Sequence, residues 1–159
     1  MTRVPSHHRL LPSLLDRLIE TQPNEDTSSY NPQGLSLSEL QANVLRDVQS
    51  LLNTRQALTD EIGEDSELRK SLVAFGLPDI SNVNPENLEQ RASIRAAVEE
   101  AIRQFEPRLT SIRVREHGEN SADRSLVLKV DAVLKVEPNP VPVQFDTVIE
   151  SGTSQWKVK

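Results

Sequence analysis

The spacing of apolar residues changes period at Pro107, and that change constrains the fold more than any other feature of the chain. Before Pro107 the apolar residues recur at helical spacing. Leu37, Leu40, Val44, Val48, Leu51 and Leu52 form one stripe, and Leu88, Ile94, Val98, Ala101, Ile102 and Phe105 form another. After Pro107 the period is two. Leu126, Leu128, Val130, Ala132, Leu134 and Val136 stand at successive even positions, while Lys129, Asp131, Lys135 and Glu137 hold most of the odd ones. That is a strand with one buried and one wet face. Ile112 and Val114 alternate with Arg113 and Arg115, and Val141, Val143, Phe145, Thr147 and Ile149 repeat the pattern. Helices followed by a meander predict an α+β domain: three helices, then a small antiparallel sheet of about four strands.

Local punctuation supports these elements. Ser36 and Glu39 have the spacing of a capping box ahead of the first stripe. A shorter helix is expected over about 66–75, carrying Leu68, Leu72 and Phe75 and stopped by Gly76 with Pro78 just beyond. Asn84-Pro85 reads as the N-cap and first-turn proline of the last helix, which Pro107 ends. "HGENSAD" (117–123), "EPNPVP" (137–142) and Ser151-Gly152 read as turns.

Residues 1–34 read differently. Leu10, Leu11, Leu14, Leu15, Leu18 and Ile19 make one apolar stripe of a short helix, and the polar stretch at 21–34, with two prolines, reads as a linker. The expected organisation is therefore a docking helix and linker over 1–34 and a single domain over 35–159. The leucine stripe either folds back on the core or docks on another protein. Pro12, Ser13, Asp16 and Arg17 interrupt the run, which argues against a signal peptide and for a cytoplasmic protein. No apolar run approaches the roughly 18 residues that cross a bilayer, so no membrane insertion is expected.

Charge and composition narrow the function. Residues 35–106 hold 7 Lys/Arg against 13 Asp/Glu, enough to account for the net charge of −6. An acidic helical half lacks the basic stripe that a nucleic-acid surface needs. It faces either water or a basic partner. With no cysteine, disulfides, thiolate metal sites and a cysteine nucleophile are excluded. His7 and His8 are adjacent near the N-terminus and His117 sits in an expected turn, so no metal-ligand spacing emerges. The glycines are scattered singly, with no phosphate-cradling loop, and no serine lies in a nucleophile elbow. No cofactor is implied.

One triplet calls for an explanation. Glu106-Pro107-Arg108 places a carboxylate at the end of a helix, where the backbone dipole disfavours it, and then blocks the helix with proline. As a glycosidase acid Glu106 would want an apolar pocket and a second carboxylate. A neighbouring guanidinium pulls a carboxyl pKa the wrong way for that role. As half of a charge pair it needs a cation, and Arg108 offers a planar fork. Arg108, another residue of the chain, or an arginine of a partner could each serve.

Five blocks, taken in order, carry a family resemblance: "SLLDRL" (13–18), "VLRDVQSLLNTR" (44–55), "LVAFGLPDIS" (72–81), "AAVEEAIRQFEPRLTSIRV" (96–114) and "VQFDTVIESG" (143–152). Together they resemble TssE, the family of baseplate wedge subunits of bacterial type VI secretion systems. That family is similar to the wedge protein of contractile-tailed phages and has carried a lysozyme-like label. The resemblance implies a structural role in a cytoplasmic, membrane-docked baseplate. The partners it implies are TssF, TssG and TssK, the first ring of sheath subunits, and the spike and inner tube. It further implies that Glu106, Pro107 and Arg108 hold neighbouring wedge proteins together. On this reading Leu14, Leu15 and Leu18 anchor the N-terminal helix in a partner's groove. Val143 and Phe145 lie on terminal strands that exchange or accept strands from the sheath. The alternative that the label keeps open is a lysozyme-like cell-wall glycoside hydrolase.

Overall fold

A computed structural model of the chain describes Leu10 and residues 35–56, 67–80, 87–120, 125–149 and 155–158. Helix α1, Leu37–Leu52, starts at the expected capping box. The Ser36 hydroxyl accepts from the Glu39 amide at 3.2 Å, and the Glu39 carboxylate accepts from the Ser36 amide at 2.7 Å. Its stripe of Leu40, Val44, Val48, Leu51 and Leu52 is buried. Helix α2, Leu88–Phe105, buries Ile94, Val98, Ala101 and Ile102. Its N-cap is Asn87, three residues later than the expected Asn84. The Asn87 side chain accepts from the Glu89 and Gln90 amides. Leu88 is then the first helical residue. It lies about 120° around the helix from Ile94 and is 74% exposed, off the stripe assigned to it.

The expected helix over 66–75 does not form; among the described residues there are two α-helices, not three. Two 3₁₀ turns, Glu67–Lys70 and Leu72–Ala74, take its place. Ser71 divides them, because its hydroxyl donates to the Leu68 carbonyl at 2.8 Å and accepts from the Val73 amide. Leu68 and Leu72 are exposed, so no apolar stripe compensates for the break. Beyond it the chain runs extended. Gly76 has φ +111°, and a Cβ there would stand 2.3 Å from the Thr54 carbonyl oxygen. This close approach lets Leu77 donate to Thr54 at 2.9 Å and accept from Gln56 at 2.8 Å. Phe75 then meets Phe105 edge to face, with ring centroids 5.2 Å apart.

The strands are β1, Leu109–Asn120; β2, Ser125–Leu134; β3, Val141–Ile149; and β4, Trp156–Val158. They form one antiparallel sheet in the order β1-β2-β3-β4, the meander that the period-two pattern implied. β1 runs on to Asn120 where a turn from His117 was expected; a register shift between Glu116 and Glu119 carries the pairing through. A second shift, between Thr110 and Arg113, contains Ser111 at φ 52°. It turns Ile112 and Val114 onto the same buried side as Leu109. The even residues of β2 from Leu126 to Leu134 are all buried and join the apolar faces of both helices in one core. Burial of each such side chain contributes roughly 1.5–3 kcal/mol. Thr147, also buried, satisfies its hydroxyl by donating to the Leu128 carbonyl at 3.2 Å. Leu10 is bridged to Leu35, whose amide donates to the Leu10 carbonyl at 2.8 Å, and it packs against the core.

Candidate functional site

The Glu106-Pro107-Arg108 triplet lies where α2 hands over to β1. Proline at 107 drives residue 106 out of helical geometry, and Glu106 is accordingly the C-cap of α2 at φ −118°, ψ 80°. Its amide still donates to Ile102 at 3.0 Å, and its carbonyl accepts from the Leu109 amide at 3.1 Å. The side chain therefore turns inward and is 4% exposed. A buried carboxylate requires compensation, and Arg108 supplies it. The guanidinium grips both oxygens, Nε to Oε1 at 2.7 Å and Nη2 to Oε2 at 2.5 Å, and the Arg108 amide donates to Oε1 at 3.2 Å. The cation sought by the buried Glu106 carboxylate is Arg108.

The same guanidinium reaches across the fold. Its Nη2 also donates to Asp47 Oδ2, in α1, at 2.6 Å. The Arg108 carbonyl accepts from the Lys135 amide, just past β2, at 2.8 Å. One residue thus ties together the end of α2, the side of α1 and the start of the sheet. Pairing with Glu106 above all, and with Asp47 to a lesser degree, raises the Arg108 pKa above its ordinary value despite the burial that lowers it. Nη1 of Arg108 is buried and without a hydrogen-bond partner. Both Glu106 oxygens are engaged as acceptors by Arg108, so neither is presented to a substrate. The geometry is that of a charged joint between three elements.

Val143 and Phe145 come together at a second feature, a cavity of about 210 Å³. Val44 and Leu45 of α1 line it, with Leu109, Leu134, Val143 and Phe145 from the sheet. Phe145 is 3% exposed and Val143 half-buried against the core. The cavity adjoins the joint along the chain, since Leu109 follows Arg108 and Val44 lies one turn before Asp47. Leu14, Leu15 and Leu18 lie outside the described residues. Sequence reasoning missed Asp47, for it is 61 residues from Arg108. The one available signal was its place beside the buried position Val48 on a helix otherwise short of acids. Among the described residues no group of three His, Asp or Glu side chains could hold a metal ion, and no helix is long and apolar enough to cross a membrane.

Within this α+β domain the charged joint ties two helices to the start of the sheet. The model of the family described as baseplate wedge protein gp25 matches residues 38–139, and the chain belongs to that family. TssE is a member of the same family, in keeping with the three sequence blocks that lie within the match, at 44–55, 72–81 and 96–114. The match spans α1, the joint, β1 and β2, and the proteins of this family are structural components of a phage-like baseplate. No curated protein matches the chain.

Proposed function

We propose that the chain is the wedge subunit of a type VI secretion baseplate, docked at a membrane in the cytoplasm, and that it helps to seed the sheath around the inner tube. The observation that carries this reading is the charged joint. It is anchored in three elements and sits beside a cavity at the strand that the chain would offer to the sheath. In this reading TssF, TssG and TssK surround the subunit. Glu106, Pro107 and Arg108 keep α1, α2 and the sheet in the relative positions that the wedge proteins recognise. Leu14, Leu15 and Leu18 anchor the N-terminal segment in a partner's groove. The backbone of the strands carrying Val143 and Phe145 meets the first ring of sheath subunits, with the spike and inner tube at the centre. The protein is then not an enzyme. The hydrolase alternative would need Glu106 to face a substrate, and its carboxylate is spent on Arg108.

Affinity purification from the native host, wild type beside Arg108→Ala, tests the proposal. Wedge and sheath subunits should accompany the wild type and be lost from a variant that still folds by circular dichroism. A wild-type chain that brings down no baseplate subunit, with peptidoglycan cleavage abolished by Glu106→Gln, would overturn the assembly role.

A further inference from the structure

The even residues of β2, from Leu126 to Leu134, point toward the helices and are buried with them in the core. The odd residues point the other way, and their cross-strand partners arrange that outer face in rows. One row is Arg115, Lys129 and Asp146, and the next is Arg113, Asp131 and Gln144. Apolar pairs bracket these two rows, Val127 with Val148 at one end and Val133 with Pro142 at the other. Lys157 of β4 stands beside Val148. Arg113, Arg115, Pro142, Gln144 and Lys157 are exposed, and the rest of the face is half-buried.

Charge on this face runs against that of the molecule. Four of its strand residues are basic, Arg113, Arg115, Lys129 and Lys157, and two are acidic, Asp131 and Asp146, in a chain of net charge −6. The cations are also unevenly served. Arg115 and Lys129 stand directly opposite each other, and like charges so placed destabilise a ladder. Arg113 stands directly opposite Asp131, but that carboxylate is engaged elsewhere. It accepts from Arg115 Nε at 3.0 Å and from Gln144 Nε2 at 2.6 Å. Among the described residues neither Arg113 nor Lys129 has a hydrogen-bond or ion-pair partner, and Lys129 acts on Asp131 only through its field. Two uncommitted cations therefore stand as diagonal neighbours, about 7–8 Å apart, between two apolar pairs.

We infer that the outer face of the sheet is a docking surface for an acidic helix of another protein, laid along β2. The run from Val127 to Val133 is about 20 Å long at the rise of a strand, which a helix of about 13 residues matches. Carboxylates at i and i+4 of that helix stand about 6 Å apart and meet Lys129 and Arg113 together. Apolar side chains one turn beyond on either side then meet Val127 with Val148 and Val133 with Pro142. Such a helix gives the sheet a second cover opposite α1 and α2. Charge selects this occupant. A second copy carries the same net −6 and is repelled at long range. Nucleic acid is repelled likewise, and the face offers no aromatic side chain on which a base could stack. The surface uses none of the side chains of the Arg108 joint. It rests on the proposed assembly role only for which protein supplies the helix.

The test titrates the full chain with a labelled helical peptide of about 14 residues, carrying glutamates at i and i+4 between leucines, and follows the backbone amides by NMR. The peptide should bind at one site, shift the Arg113, Lys129 and Asp131 amides, and bind more weakly as salt rises. Its glutamine counterpart should bind about tenfold more weakly, and so should the glutamate peptide to Arg113→Gln/Lys129→Gln, with the unfolding midpoint little changed. On the wild type, carbodiimide should join a peptide glutamate to Lys129, a readout that stands even if the double variant does not fold. Absence of binding to the wild type, equal binding of the glutamine peptide, or shifts confined to the helices would overturn the docking face. Three further outcomes would overturn the assignment to another protein's helix. A single-stranded oligonucleotide that binds more tightly than the peptide would give the face to nucleic acid, and a wild-type dimer that the peptide dissociates would give it to a second copy. A carbodiimide link from Lys129 to an acid at 60–65 of the same chain would give it to the chain's own segment. No baseplate subunit is present, so none of these outcomes depends on the co-purification result.

Discussion

Two long-range fastenings hold the ends of this fold together, and they are built from different chemistry. At the α2–β1 handover Arg108 grips Glu106 and Asp47 with charge-assisted bonds. At the far end of α1 Asn53 grips the backbone of Trp156 with a neutral amide, and its Nδ2 also donates to the Gln49 carbonyl at 2.9 Å. The charged joint commits a nearly buried carboxylate, so losing one partner strands the other in a place where water cannot rescue it. The amide joint commits no charge, and its loss frees two backbone groups near a strand edge. The first protects the geometry of the core; the second ties β4 to the end of α1.

The comparison breaks most visibly at Arg108. Arg108→Ala leaves Glu106 buried without a cation and should cost about 3–5 kcal/mol of stability, measured by urea unfolding. Glu106→Leu in the same chain should recover part of that loss, because the stranded charge is then gone. A loss under 1 kcal/mol for Arg108→Ala would mean that the joint behaves as an ordinary surface pair.

Asn53→Ala should cost less, about 1–2 kcal/mol, from the two bonds to Trp156 at roughly 1 kcal/mol each with some return from water. Trp156 is the chain's single tryptophan and is 2% exposed, so it reports the change directly. The variant should show faster exchange of the Trp156 amide and a red-shifted emission, with the core amides of β2 unchanged. If β2 exchange accelerates equally, β4 is part of the core fold and the two joints are not separable.

Much of this was legible in the sequence, and the exceptions have two causes. The even-numbered stripe of β2 and the capping box at Ser36 and Glu39 are local patterns, and the structure reproduces both. The triplet was recognisable because proline after a helix-end carboxylate is locally anomalous. The helix expected over 66–75 failed because Ser71 competes for backbone bonds, and because Leu72, counted as core, is 86% exposed. Asn53 carried no signal and Asp47 only its place beside Val48, since each acts on a residue brought near only by the completed fold. Asn53 and Trp156 are 103 positions apart. Nothing in "LLNTR" says that its asparagine will imitate a strand.

The smallest expected effect concerns pH and separates the charged joint from an exposed charge ladder on the sheet. Asp131 accepts from the Arg115 guanidinium and from Gln144 Nε2, the latter at 2.6 Å. Arg115 first, then Gln144, lowers the Asp131 carboxyl from its ordinary 3.8. A carboxyl depressed in the folded state adds stability that is present above its unfolded value and is lost as pH falls through the folded one. The Asp131 contribution should therefore be complete at neutral pH and disappear only below about pH 4. Arg108 runs the other way. Its raised pKa contributes fully below the ordinary arginine value, so titration of its guanidinium gives no pH dependence across the physiological range. Asp131→Asn should flatten part of the acid limb in a series of unfolding midpoints and change little at neutral pH, because solvent screens an exposed pair. An acid limb identical to the wild type would remove Asp131 from the account.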